Sequence, residues 1–329
     1  MKSVSRSLVP IREVEIENFK SIKHLKFDCR RLNIFIGEPN TGKSNIIESV
    51  VGLPSVAYYG RFGVTNFIRF EDYSNIFYDN NLDDAVNVKF NGKWDFEIKI
   101  YFKDGSYYWS VEPNLIPPYT LFAGSANKFN EISKQFKFYR FSPWQEFKRR
   151  ESEFLLPDGS NFPSVYATHK RLREIFGDIL QRYGLRLMRE PDTNKIKVVK
   201  ETEFDLITYP YQTLSDTFRR LMFYISAILT NKNSIIAMEE PEANAFPFYT
   251  KYLAELVALD DSNQYFVTTH NPYFLLTLIE KTPKEDLAVY ITYYEDYQTK
   301  VKKLSERKFQ EILNLGSSVF FNLDALMED

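Results

Sequence analysis

Eight residues near the N-terminus, Gly37-Glu38-Pro39-Asn40-Thr41-Gly42-Lys43-Ser44, match the pattern G-x-x-x-x-G-K-[ST] in full. Two glycines let such a backbone curl until successive N–H groups face one point. A helix that begins at the end of the loop aims its positive N-terminus at the same point. That geometry suits phosphate, and it dictates its neighbours: a buried strand leading in and a helix leading out. Both are legible here. Leu32-Asn33-Ile34-Phe35-Ile36 is a short apolar run that ends at Gly37, and a helix should begin near Lys43 and run past Ile47. A chance match in a chain of 329 residues is on the order of 1%.

The rest of the chain fits an α/β fold. Val14–Asn18 and Leu25–Asp28 read as short strands. Val86–Phe90, Phe96–Phe102 and Tyr107–Val111 are rich in β-branched and aromatic residues, with Asp104-Gly105 as a hairpin turn, so residues 84–112 read as an antiparallel meander. Pro113, Pro117 and Pro118 break the pattern, and apolar residues at helical spacing return over 163–183. Two short strands are expected at 185–190 and 195–208. From Leu214 onward helix and strand alternate: helices at Phe218–Leu229, Tyr249–Leu259, Tyr273–Glu280 and Glu306–Leu313, strands at Ser234–Met238, Gln264–Thr269 and Leu287–Tyr293. That alternation implies a mostly parallel sheet flanked by helices. The expected organisation is a split core, 1–60 with 205–329, interrupted by an antiparallel β subdomain at 61–125 and a helical, mixed lobe at 126–204.

Composition sets outer limits. A formal net charge of −2 excludes a globally basic nucleic-acid binder, though not a local basic strip. Cys29 is the lone cysteine, so no internal disulfide forms, and no Cys/His cluster has zinc-ligand spacing. No apolar run is long enough to span a bilayer, and the N-terminus lacks the apolar stretch of a signal peptide. The expectation is therefore a cytoplasmic protein with no membrane contact. Aromatic residues reach 16%, which suits ring-rich core packing; stacking platforms for bases are the sharper alternative.

Two strand ends carry the remaining chemistry. Ser234–Met238 runs into Glu239-Glu240-Pro241-Glu242. Beside a phosphate loop, Glu239 at the strand tip suits Mg²⁺, shared with the Ser44 hydroxyl, while Lys43 reaches the β- and γ-phosphates of ATP. Glu240 is placed to orient and deprotonate the attacking water, and Glu242 reads as structural. Phe266–Thr269 leads into His270-Asn271-Pro272, which puts His270 at the sheet edge where ligands collect, as a hydrogen-bonding sensor of the γ-phosphate. His24 and His169 have no such context.

With these motifs in this order, the chain resembles the ATP-binding-cassette ATPases of the RecF, SMC and OLD type in their short stand-alone form. Ile16-Glu17-Asn18-Phe19-Lys20-Ser21-Ile22 resembles the N-F-K-S strand of that group, Glu239–Glu242 its E-E-P-E run, Thr269–Pro272 its T-H-S-P switch, and Leu156–Asn161 its P-D-G-x-N stretch. The resemblance covers roughly residues 12–290. It implies nucleotide contacts from Gly37 through Ser44 and from Asn45 and Lys20. It also implies a signature segment at Tyr211–Arg220, in which Ser215 reaches the γ-phosphate held by a second subunit. Leu214-Ser215 fits that signature; Asp216 and Thr217 replace its two glycines, crowding the approach and adding negative charge. The group's Q-loop glutamine has no counterpart between the phosphate loop and the meander, where Asn75–Asn81 stands instead. The resemblance further implies a homodimer formed head to tail on binding ATP. Without heptads, long coiled-coil arms are excluded. With the sequence ending at Asp329, a Toprim nuclease domain is not expected.

Two functions are therefore expected. One is a DNA-related or defence-type ATPase that gates a separate effector, a nuclease or toxin, with DNA contacts from the basic, aromatic stretch Lys134–Arg150 and from Lys170, Arg171, Arg173 and Arg182. The other is an ATP-dependent regulatory or assembly switch that does not contact nucleic acid. Membrane-transporter cassettes and small-molecule kinases fit the motifs less well.

Overall fold

The computed structural model describes residues 9–60, 63–113, 116–121, 127–143 and 146–328. The signal-peptide reading at residues 1–8 and positions 144–145 of the basic stretch lie outside them. Fifteen strands are described: β1 Ile11–Phe19, β2 Ile22–Asp28, β3 Leu32–Gly37, β4 Val86–Gly92, β5 Phe96–Lys103, β6 Ser106–Glu112, β7 Ile116–Thr120, β8 Phe136–Tyr139, β9 Leu185–Glu190, β10 Lys195–Glu201, β11 Leu206–Pro210, β12 Ile235–Glu239, β13 Gln264–Thr268, β14 Leu287–Glu295 and β15 Gln298–Lys303.

They form three sheets. The six-stranded core sheet has the order β15-β14-β3-β13-β12-β8, and all of its pairs are parallel except β14 with β15. The strands β3, β12 and β13 are buried almost throughout, which is why they read as unbroken apolar runs rather than as alternation. Helices Asp216–Thr230, Pro247–Leu259 and Pro272–Lys281 bury their apolar faces in one core cluster with the inward residues Ile34, Ile36, Met238 and Val267. The phosphate-loop helix, Lys43–Ile47, continues through a π-type turn over Glu48–Gly52 into Leu53–Tyr59 and packs in a second cluster on the other face.

The antiparallel sheet, β2-β1-β4-β5-β6-β7, is larger than the meander expected from the sequence. Strand membership also cuts across the boundaries read from sequence. Both β1 and β2 precede the phosphate loop yet join the meander's sheet, β1 pairing with β4 and β2 with β1, and β8, inside the stretch read as a helical, mixed lobe, completes the core sheet. The helix expected over 163–183 is two, Phe162–Thr168 and Lys170–Gln181, separated by His169 in an extended conformation (φ −101°, ψ 100°). The β14–β15 hairpin carries no turn signal in the sequence because its turn residues are Asp296 and Tyr297. Both take the positive φ (49° and 60°) that Asn-Gly pairs usually supply.

Arg31 fixes the bottom of the core sheet. It is buried, donates to the carbonyls of Ala258 (2.9 Å) and Asp260 (2.5 Å) at the C-terminal end of the Pro247–Leu259 helix, and pairs with Asp286 at 3.2 Å. A guanidinium on terminal carbonyls satisfies groups that a helix leaves unpaired and opposes their partial negative charge. Arg31→Met should therefore lower unfolding free energy by about 2–3 kcal/mol, read as a lower urea midpoint with an unchanged slope.

Candidate active site

The parallel register brings the tips of β3, β12 and β13 to one edge of the sheet. Thr268 lies opposite Phe35 on one side and Glu239 on the other, so the phosphate loop, the acidic tip and the histidine turn become neighbours. The loop curls as its sequence requires. Gly37 and Gly42 have φ of 148° and 93°, and a Cβ at either would fall 2.2 Å from the Thr292 carbonyl oxygen or 2.0 Å from Thr299 Oγ1. Thr41 Oγ1 braces the loop by donating to the Glu38 carbonyl at 2.8 Å. Lys43 folds its ammonium back onto the carbonyls of Gly37 (2.9 Å) and Glu38 (2.6 Å). Burial pulls that ammonium down to about 8, against the attraction of Glu240 and Glu38. Asn45 faces Ser21, donating to its Oγ at 2.7 Å, and so ties the loop helix to the turn after β1.

The acids fall where the loop can use them. Ser44 Oγ donates a short hydrogen bond to Glu239 Oε1. Burial works to raise the Glu239 carboxyl, but Arg140, the Ser44 hydroxyl and Arg69 outweigh it and hold it below its usual range. A hydroxyl and an ionised carboxylate in contact form an oxygen-donor pair of the kind Mg²⁺ takes beside phosphate. Glu240 takes a left-handed conformation (φ 42°), uncommon for a side chain of its size, and its N–H donates to the Thr268 carbonyl at 3.1 Å. Its Oε1 lies 3.1 Å from His270 Nε2. That hydrogen bond, opposed by burial and by Glu239, keeps Glu240 ionised. His270 is held by the next helix: Asn271, which replaces the serine of the T-H-S-P pattern, caps Pro272–Lys281 by accepting from the N–H groups of Tyr273 and Phe274. A cleft of about 350 Å³ opens beside these groups, lined by Ser44, Arg69, Arg140, Arg220, Glu239 and Glu240. A larger one, about 1360 Å³, lies at the other end of β12 against Ser234 and Lys137, away from the acids.

Other residues singled out in the sequence have partners within the chain. Lys20, expected at the nucleotide, pairs with Glu48 and donates to the Arg69 carbonyl at 2.6 Å, drawn there by a fully buried carboxylate. Ser215 caps the Asp216–Thr230 helix through the Phe218 N–H at 3.4 Å and is exposed, outside the cleft lining. Thr217, read as an obstruction, donates to the Asn244 carbonyl at 2.7 Å and fastens this segment to the loop after Glu242. Asn75–Asn81 forms turns beside the antiparallel sheet, with Phe77 bridged to Phe19, and is absent from the cleft lining. Arg69, Arg140 and Glu48 occupy the neighbourhood instead. Arg140 is legible in the sequence only as one cation in a basic run, and neither Arg69 nor Glu48 lies in a recognisable pattern.

Comparison with known proteins gives the family. A family model described as an AAA ATPase domain matches residues 10–226. The chain belongs to the AAA ATPase domain family. It is a P-loop ATPase. The Septu protein PtuA of Bacillus mycoides (strain KBAB4) is 21% identical over 342 residues, spanning 97% of this chain; the chain spans 46% of that relative's length. An ATP/GTP phosphatase of Helicobacter pylori (strain ATCC 700392 / 26695) is 21% identical over 339 residues, covering 84% of this chain and 90% of the relative. Among solved structures, an SmcHead bound to the C-winged helix domain of ScpA superposes with a TM-score of 0.62 at 14% identity, covering 92% of this chain and 100% of that one. An Smc head domain with an extended coiled coil, bound to the C-terminal domain of ScpA derived from Pyrococcus furiosus, gives 0.58 at 12% identity, covering 92% and 98%. These likenesses show the fold. No helix among the described residues is long and apolar enough to cross a membrane.

Glu242 is buried and accepts from Thr269 Oγ1. Burial pushes its carboxyl up to about 7, against the Thr269 bond. The folded state thus keeps a proton that the unfolded chain releases near pH 4.5, so this contribution to stability is complete below that pH and is lost as pH rises through about 7. Between pH 4 and 8 the ATPase should lose about 3 kcal/mol more than a Glu242→Gln variant in paired denaturation curves; parallel curves would mean that the carboxyl is ionised in the fold.

Proposed function

We propose that this chain hydrolyses ATP as a nucleotide-gated, head-to-tail dimer and passes the resulting conformational change to a separate effector protein. The observation that carries this reading is the contact of Ser44 with Glu239, with the Glu240–His270 pair beside it. The loop amides and Lys43 hold the triphosphate, with Gly37 through Ser44 as the cradle. Ser44 and Glu239 would hold Mg²⁺, whose chemistry there would be to neutralise phosphate charge. Glu240, kept ionised, accepts a hydrogen bond from the attacking water and aims it; a carboxylate below its usual range orients better than it deprotonates. His270 holds Glu240 and donates to the γ-phosphate once it arrives. Ser215, exposed at a helix N-terminus, is offered to the triphosphate of a second copy. The split core and its two insertions are the units we propose to move.

Support for a protein effector comes from the SMC head seen with a bound ScpA domain and from the Septu relative, of which this chain spans only part. A second reading, a regulatory or assembly switch that never touches nucleic acid, is favoured by the fate of the basic residues expected as DNA contacts. Lys137 is buried and donates to Asn231, Arg140 turns into the active site, and Arg173 donates to helix-end carbonyls. On this reading DNA neither binds at low salt nor changes turnover. Binding that weakens steeply with added salt would restore DNA as a partner.

Glu240→Gln should keep ATP binding, lower turnover by about 100-fold or more, and sediment as a dimer with ATP. Adding Ser215→Arg should return it to a monomer without loss of nucleotide. Parent-rate hydrolysis by Glu240→Gln refutes the role given to Glu240, and an unchanged dimer with Ser215→Arg refutes the head-to-tail contact.

A further inference from the structure

Arg140 is the residue after β8, the edge strand of the core sheet. Met238 pairs with Tyr139 in the parallel register, so the next residues, Glu239 and Arg140, come to lie side by side at the strand tips. The guanidinium bridges two carboxylates. Its Nε donates to Glu239 Oε2 at 2.6 Å and its Nη2 to Glu48 Oε1 at 2.8 Å. Arg69 makes a second bridge between the same acids, Nε to Glu48 Oε1 at 2.8 Å and Nη2 to Glu239 Oε1 at 3.2 Å. Glu48 is fully buried and also takes Lys20. The two acids differ in kind. Glu48 lies inside the protein with three cations around it, whereas Glu239 lines the open cleft and shares one oxygen with Ser44. A carboxylate loaded with two guanidinium bonds has less charge to give a divalent ion, because a cation already in hydrogen-bond contact opposes the arrival of another.

We infer that Arg140 is a positioning residue for the metal site: a tethered cation that competes with Mg²⁺ for Glu239, so that the metal enters with the triphosphate rather than ahead of it. The inference rests on the assignment of Ser44 and Glu239 to the metal. With a triphosphate in the cleft the negative charge there would favour a metal on Glu239, and Arg140 would give up its Nε bond to that carboxylate. Glu48 keeps its hold on Nη2, so the freed guanidinium stays beside the phosphates instead of swinging into solvent. Arg69 is the weaker competitor, being half exposed and bonded at longer range to Glu239.

The test uses Mn²⁺ as the probe, titrated by electron paramagnetic resonance into the full chain without nucleotide and with a non-hydrolysable ATP analogue. The nucleotide-free wild type should bind Mn²⁺ weakly. Arg140→Gln, which removes the charge and keeps an amide, should bind it roughly tenfold more tightly without nucleotide. Arg140→Lys, which keeps a charge, should stay close to wild type. A variant that merely loosened the fold would not gain metal affinity. Equal or weaker Mn²⁺ binding by Arg140→Gln, or an equal gain in Arg140→Lys, overturns the inference. So does tight Mn²⁺ binding by the nucleotide-free wild type, an outcome that needs no variant to fold. Failure of the underlying assignment looks different: the ATP analogue would leave Mn²⁺ affinity unchanged in the wild type, and Glu239→Ala would leave the affinity measured with the analogue unchanged.

Discussion

The Ser44 hydroxyl reaches the Glu239 carboxylate across a sheet in which their strands are not adjacent. Everything at this site depends on that closure. β13 lies between β3 and β12, so the contact forms only if the phosphate-loop helix starts directly above the strand tips. The glycine conformations at 37 and 42 permit that start, because any Cβ there would collide with Thr292 or Thr299. The hairpin that supplies those two threonines is therefore part of the active site's support, although no part of it touches the acids. Packing holds the arrangement from below: Ile34 and Ile36, on β3, lie in one core cluster and Phe35 in the other, so the strand beneath the loop is clamped on both faces.

Charge at the sheet edge is distributed so that each acid does different work. Glu239 carries an ionised carboxylate supported by arginines. Glu240 is ionised, its carboxylate bonded to His270 and its backbone in the left-handed region. Glu242, two residues on, is held as a neutral acid near pH 7 by burial and a threonine. Three carboxyls within four residues would repel one another if all were ionised in the interior; burial of the third removes that cost. Glu48 balances three cations that would otherwise crowd the phosphate loop.

Much of this is readable in the sequence, for physical reasons. A phosphate loop needs fixed residue types at fixed spacing, and strands buried on both faces leave continuous apolar runs, so β3, β12 and β13 and the residues at their tips stand out. The hidden parts obey looser rules. β8 is four residues of Phe-Lys-Phe-Tyr that read as a basic, aromatic run, because Lys137 is a buried lysine bonded to Asn231 and Ser234, an arrangement no pattern announces. Arg69, Arg140 and Glu48 lie far apart in sequence, and only the fold brings their charges together. Resemblance draws Lys20 toward the nucleotide, whereas the fold gives it to Glu48, whose burial the sequence does not reveal.

The account is tested most directly by a crystal structure of the chain with Mg²⁺ and a non-hydrolysable ATP analogue. It predicts a metal ion bound by Ser44 Oγ and Glu239, the triphosphate within hydrogen-bond reach of the Gly37–Ser44 amides and Lys43, and Glu240 facing the γ-phosphate. An analogue bound away from the loop, or a metal held by other side chains with Ser44 still on Glu239, would contradict it.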